Sequence, residues 1–194
     1  MPRPKSFDVD DALDRAVDLF WVNGYAATSM ADLVNHLGIN RGSLYSTFGS
    51  KQELYERALE RYLTSGQHRF AEKITDPAIP LREALSALLT SSAERTDHRG
   101  CLLVNTTMER NATDERCLDL TSKGFDELRA ILIAAFESRR NEFADGLTPD
   151  QAANLVLVAT QGLRVVGATE SKIRADSTIQ TVLDTLTPTP PDRR

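Results

Sequence analysis

Apolar residues fall three and four positions apart along most of the chain, the spacing that lines one side of an α-helix. Ala12, Leu13, Ala16, Val17, Leu19, Phe20 and Trp21 form such a stripe behind Asp8, an aspartate suited to start a helix, with Asp11 placed to return a cap bond. That helix is expected to stop at Gly24. Met30, Leu33, Val34 and Leu37 make a second, shorter stripe that Thr28 can cap and Gly38 can close with a left-handed residue. Leu44 and Phe48, four apart, give the buried side of a third helix that follows almost at once. Ser50 and Glu53 form a Ser-x-x-Glu capping box opening a long helix through Leu54, Tyr55, Ala58, Leu59 and Tyr62 to a point near Ala71 or Ile74.

Thr75-Asp-Pro-Ala-Ile-Pro80 breaks the pattern. From Leu81 onward the chain repeats amphipathic helix and short turn, without strand alternation or internal repeat. Helices are predicted over about 81–96, 101–110, 114–144, 149–172 and 177–186, with Thr148 capping the fourth of these and Pro149 in its first position. The 149–172 segment is apolar on more than one side, through Ala152, Leu155, Val156, Val158, Ala159, Leu163, Val165 and Val166, and so asks for cover on both faces. The fold class read from this pattern is all-α. It comprises a three-helix head over residues 1–50, a helical body over 51–186 and a loose Thr- and Pro-rich tail over 187–194.

Composition narrows the function. A chain of 194 residues with 41% hydrophobic and 26% charged positions is an ordinary globular protein able to bury a substantial core. No apolar run approaches the roughly 20 residues that cross a bilayer, and Met-Pro-Arg-Pro-Lys-Ser at the start lacks the apolar core of an export signal, so the cytoplasm is the expected location, with no membrane partner. Cys101 and Cys117 are too few for a disulfide framework, and no paired histidines stand at zinc-binding spacing, so neither metal nor cofactor is expected.

Two short helices joined by a tight turn, the second leaving a small polar face free, make a helix-turn-helix, an arrangement that places side chains in the major groove of duplex DNA. Thr28, Ala31, Leu33, Leu37, Gly38, Ile39, Gly42, Leu44, Tyr45, Phe48, Lys51, Glu53 and Leu54 match in type and spacing the DNA-binding region of TetR-type transcriptional regulators. The chain resembles that family over about residues 8–60, and the helical remainder is compatible with it. The resemblance implies a homodimeric repressor that binds a double-stranded operator and is released by a small-molecule effector. Repression rather than activation rests on the resemblance alone.

The formal net charge of −5 weighs against a DNA partner, because neutralised phosphates dominate affinity for duplex. Asp8, Asp10, Asp11, Asp14, Asp18 and Asp32 all fall in the head, most of them in the first helix, where they can face away from DNA. Arg3, Lys5, Arg41 and Lys51 must then supply much of the phosphate and base contact. Residues 2–6 form a basic arm that either enters a minor groove or frays. Carried over from the family motif, Arg41 and Ser43 read bases, Gly42 lets the backbone approach, and Tyr45 and Thr47 face phosphate or groove wall. Asn40 belongs to the same candidate set. Thr28 and Lys51 lie at helix starts, where backbone N–H groups and a side chain together hold a phosphate. Tyr45 packing in the head and Thr28 serving only as a cap are the plain alternatives.

The body is expected to dimerise through its last two helices, whose apolar excess and small residues Ala159, Gly162 and Gly167 permit close approach. In the resembling family the body holds an effector cavity. Its candidate lining is Tyr62, Phe70, Leu89, Cys101, Leu103, Asn105, Met108, Phe125 and Gln161, each of which reads more readily as plain core. Cys101 stands at a predicted helix start beside His98 and Arg99, where dipole and charge favour thiolate, and its Gly-Cys-Leu setting resembles a branch that includes oxidant sensors. A small buried helix-start residue is the plainer reading of Cys101, and thiol modification is the second route of release that its setting offers. Cys117 reads as packing. An enzyme would need a nucleophile held against a base, and only Cys101 with His98 offers such a pair, so no catalysis is expected. The competing class is a helical protein-interaction module without sequence-specific DNA binding.

Overall fold

The computed structural model of the chain describes residues 7–94, 99–110, 114–166 and 172–187, the Lys73 side chain excepted. Among them every regular element is helical: α1 (Val9–Asn23), α2 (Met30–Leu37), α3 (Arg41–Phe48), α4 (Lys51–Thr75), α5 (Leu81–Ala93), α6 (Leu102–Arg110), α7 (Glu115–Ser138), α8 (Pro149–Val166) and α9 (Lys172–Leu186), with a 3-10 turn at Arg140–Glu142. The all-α expectation holds.

Two compact units result. The first comprises Met1–Gly66 together with Cys101–Gly124, and the second Gln67–Gly100 together with Phe125–Arg194. The expected boundary at residue 50 lies inside the first unit, because α6 and the start of α7 pack with the head.

In the first unit, α1 begins where the Asp8 carboxylate accepts the N–H groups of Asp10 and Asp11 and ends at Gly24, with φ +80°. Its buried side is Ala12, Leu13, Ala16, Val17 and Phe20, and α1 and α2 pack together. Phe20, Tyr25 and Tyr55 interlock, with the Phe20 and Tyr55 rings edge to face at 4.9 Å. Trp21 meets Tyr62 in the same manner at 4.9 Å. The first-helix acids are partly neutralised within the unit: the Arg61 guanidinium donates to both Asp14 carboxylate oxygens at 2.8 Å and lies 3.5 Å from Asp10. That fork holds the Asp14 carboxyl below its ordinary value.

The core of the second unit is built from α5, α8 and α9, which pack mutually, with Leu132, Ala135 and Phe136 of α7. Helix α7 is shorter than the predicted 114–144 segment, and Arg139 supplies the reason. Its guanidinium is buried and donates to the carbonyl oxygens of Ile79, at 2.9 Å, and Ile74. Leaving the helix there also lets the Glu142 carboxylate accept the Leu81 N–H at 2.6 Å, which starts α5 where Pro80 offers no side-chain cap. Helix α9 starts five residues earlier than the expected Ser177, burying Ala175. Thr187, expected to open a loose tail, is buried: its N–H and hydroxyl both donate to the Leu183 carbonyl, and Arg82 donates to its own carbonyl at 2.9 Å. Positions 188–194, Gly167, Arg3, Lys5 and His98 lie outside the described residues.

Candidate nucleic-acid interface

Helix α2 starts one residue later than expected. Ser29, not Thr28, is its cap: Ser29 Oγ accepts the Asp32 N–H at 3.1 Å while the Asp32 carboxylate accepts the Ser29 N–H at 2.8 Å, a reciprocal capping box. These bonds from the Ser29 hydroxyl and backbone hold the exposed Asp32 carboxyl below its usual range. Thr28 is buried, and its hydroxyl donates to the Gly24 carbonyl at 2.6 Å. The Thr28 assignment as the cap of α2 is therefore corrected, its hydroxyl being turned inward to the Gly24 carbonyl. Gly38 then ends α2 in the left-handed region, φ +66° and ψ +27°, with its N–H on the Val34 carbonyl. Arg15 donates to the carbonyls of His36 and Leu37, satisfying the last turn from α1.

Asn40 caps α3 by accepting the Ser43 N–H at 2.8 Å, so its side chain is committed to the helix start. Leu44 and Phe48 are buried and turn the opposite side outward: Arg41, Gly42, Tyr45 and Ser46 are exposed, with Ser43 and Thr47 partly so. The Arg41 guanidinium lies 5.7 Å from the centroid of the Tyr45 ring, one turn along this outer face. Tyr45 is 43% exposed, which removes the alternative that it packs in the core. Arg57 closes the far end by donating to the Thr47 carbonyl at 3.1 Å while lying 4.9 Å from the Phe48 ring centroid. Ser50 and Glu53 form the expected capping box at the start of α4. Lys51, in its first turn, places its ammonium 4.2 Å from the centroid of Tyr25. Burial lowers the Lys51 pKa, against the opposing pull of Glu109.

Residues 12–58 match the family described as "Bacterial regulatory proteins, tetR family". Over these residues the chain is similar to that family's DNA-binding region. Among its curated relatives is the HTH-type transcriptional repressor ComR of Escherichia coli (strain K12), 36% identical over 120 residues, which are 58% of this chain and 56% of ComR. Another is the HTH-type transcriptional repressor BdcR of the same strain, 36% identical over 98 residues, 50% of this chain and 49% of BdcR. The chain spans about half the length of the curated relatives it matches. Among solved structures, a cysteine-substituted form of the TetR family regulator CifR, complexed with 26-bp double-strand operator DNA, is 28% identical with a TM-score of 0.78, covering 95% of this chain and 99% of that one. Reduced Escherichia coli NemR is 19% identical with a TM-score of 0.80, covering 92% and 96%, and shares the fold.

The head thus brings together Asn40, Arg41, Gly42, Ser43, Tyr45 and Thr47 on or at the start of one helix, with Lys51 opening the next. The candidate cavity residues divide between the two units. Tyr62, Cys101, Leu103, Asn105 and Met108 belong to the first unit, and Phe70, Leu89, Phe125 and Gln161 to the second. Leu89 is fully buried core, while Met108, 80% exposed, and Asn105, also exposed, are absent from the interior of the first unit. Cys101 precedes α6, is buried, and receives the Tyr62 hydroxyl at 3.8 Å. Cys117 is fully buried too, but beside polar groups rather than in plain packing: the Gln52 amide lies 3.8 Å from its sulfur and Asp114 accepts its N–H. Burial pushes the Cys117 thiol up to about 12, so it stays protonated. Burial would also raise Asp114, but hydrogen bonds from Arg110, the Cys117 backbone and Gln52 outweigh it and hold that carboxyl well below the ordinary range.

Sequence reasoning missed the residues that hold this head from a distance, Glu109 and Arg110 of α6 and Arg57 and Arg61 of α4. Arg61 carried only a weak signal, a cation in a chain whose first helix is rich in aspartate. Glu109 carried none, because its partners are backbone groups 83 and 84 residues away.

Proposed function

We propose that the chain is a homodimeric, cytoplasmic transcriptional repressor that reads a palindromic operator through the major groove and releases it when a small effector binds or a thiol is modified. The observation that carries DNA binding is the outward presentation of Arg41, Gly42, Tyr45 and Ser46 by the buried pair Leu44 and Phe48. Arg41 reads a base, its guanidinium being able to take guanine O6 and N7 together. Ser43 supports that reading, and Tyr45, Thr47 and Lys51 contact the backbone, with Arg3 and Lys5 as a basic arm. ComR and BdcR are named as repressors, and the solved structure of a cysteine-substituted CifR is a complex with operator DNA, which supports the same function here.

Dimerisation is proposed through α8 and α9. Leu155, Val158 and Val165 are exposed on α8 at three- and seven-residue spacing, with exposed Gly162 between the last two. A matching helix from a second copy would cover this stripe and set two reading heads about one helical repeat, roughly 34 Å, apart. Release requires an effector that prefers the conformation whose heads no longer match successive grooves. Cys101, buried against the Tyr62 hydroxyl, is the proposed thiol route.

Selection of bound duplexes from a random pool tests the reading. A palindromic consensus bound more tightly than random duplex at physiological salt supports it. A pool that never enriches refutes it and leaves the helical interaction module.

A further inference from the structure

Glu109 stands in the last turn of α6 beside the turn that leads from α1 to α2. Its Oε2 accepts the Tyr25 N–H at 2.9 Å and its Oε1 accepts the Ala26 N–H at 2.6 Å. Both oxygens of one carboxylate are thereby spent on consecutive backbone donors, the charge-assisted arrangement that fixes a segment most firmly. The neighbouring Arg110 guanidinium lies 4.0 Å from the centroid of the Tyr25 ring, and that ring packs against Tyr55 at 5.0 Å. The approach is close: a Cβ on Gly24, already at φ +80°, would stand 3.1 Å from Glu109 Oε2, tighter than most Cβ contacts. All these groups belong to the first compact unit.

The turn so held is the one from which α2 departs. Gly24 accepts the Thr28 hydroxyl and Tyr25 accepts the Thr28 N–H, and Ser29 caps α2 in the next position. Helix α2 packs against α3. We propose that Glu109 is a positioning residue for DNA recognition, setting from α6 the orientation in which α2 and α3 present the reading face. This inference rests on the DNA-binding function proposed above. A carboxylate can hold both N–H groups, whereas glutamine keeps one acceptor oxygen and turns an NH2 group toward the other donor. The side chain has no contact with bases in this scheme and acts through the turn.

Two measurements on the full-length chain test it. Amide hydrogen exchange reads Tyr25 and Ala26 directly: both should exchange faster in Glu109→Ala, with Glu109→Gln intermediate. The second is the ratio of affinities for a duplex selected by the wild type and for random duplex, compared at one salt concentration. A misaligned head keeps its phosphate attraction and loses base register, so the ratio should fall about tenfold in Glu109→Ala and less in Glu109→Gln. A variant that merely unfolds in part would lower both affinities together and leave the ratio intact. Unchanged exchange at Tyr25 and Ala26, or an unchanged ratio in Glu109→Ala, overturns the positioning role while leaving DNA binding standing. A wild-type chain that selects no duplex removes the function and the inference with it.

Discussion

Tyr55 Oη and Thr106 Oγ1 lie 2.8 Å apart in the interior of the first unit, and the threonine oxygen lies 2.7 Å from the Leu102 carbonyl. A carbonyl only accepts, so Thr106 donates to Leu102 and receives the Tyr55 hydroxyl. This order makes the pair asymmetric. Tyr55→Phe leaves Thr106 with its own partner and should cost about 1 kcal/mol, whereas Thr106→Val strands a buried phenol and should cost about 2 kcal/mol. Denaturant melts of the two variants check the order. Burial pushes the Tyr55 phenol up to about 12, above its unfolded value near 10. The stability tied to the neutral phenol is therefore complete below about pH 10 and is lost as pH rises through about 12. Tyr55→Phe should flatten that alkaline limb.

Ser29→Ala removes one half of the capping box at α2 and should destabilise the head by about 1 kcal/mol. The Asp32 carboxyl is held below its usual value by the same serine, through its hydroxyl and its backbone N–H. A depressed carboxyl contributes stability above its unfolded value, and the contribution fades as pH falls through the folded one. Ser29→Ala should move the Asp32 titration upward, which NMR titration of the side chain reads.

Arg41 and Lys51 should fail differently on DNA. Arg41→Ala is expected to weaken binding to a selected duplex at least tenfold and to relax preference at one base position. Lys51→Ala should weaken all duplexes alike and lower the logarithmic salt slope by about one. Gel shifts at several salt concentrations separate the two, and a Lys51→Ala slope equal to wild type would remove its phosphate role.

Val158 is 71% exposed on α8, so an aspartate there meets water in the monomer and a partner's apolar surface in the proposed dimer. Val158→Asp should leave the helix content by circular dichroism unchanged and shift sedimentation to the monomer. An unaltered dimer would place the interface elsewhere.

Local rules made much of this head readable. Asp8, Gly24, Gly38, Ser50 and Glu53 do what their residue types do at helix ends, and Leu44 with Phe48 orients α3 by spacing alone. Thr28 and Ser29 show the limit. Both are good caps by type, and the choice fell to Ser29 because the Thr28 hydroxyl is buried on the Gly24 carbonyl. The long predicted helix over 114–144 failed for a related reason, since Phe136 and Phe143 keep helical spacing while Arg139 is drawn to the carbonyls of Ile74 and Ile79.

Taken by itself, the chain's order of residues determined the all-helical class, most helix limits and the outward polar face of α3, because periodicity and capping act between residues a few positions apart. Only the tertiary structure decided that α6 packs with the head, that Glu109 grips the Tyr25–Ala26 turn and that Arg61 answers the acids of α1. Those contacts join groups 47 to 84 residues apart, and backbone N–H donors, which every residue but proline carries, leave no mark in a sequence to say which carboxylate will find them.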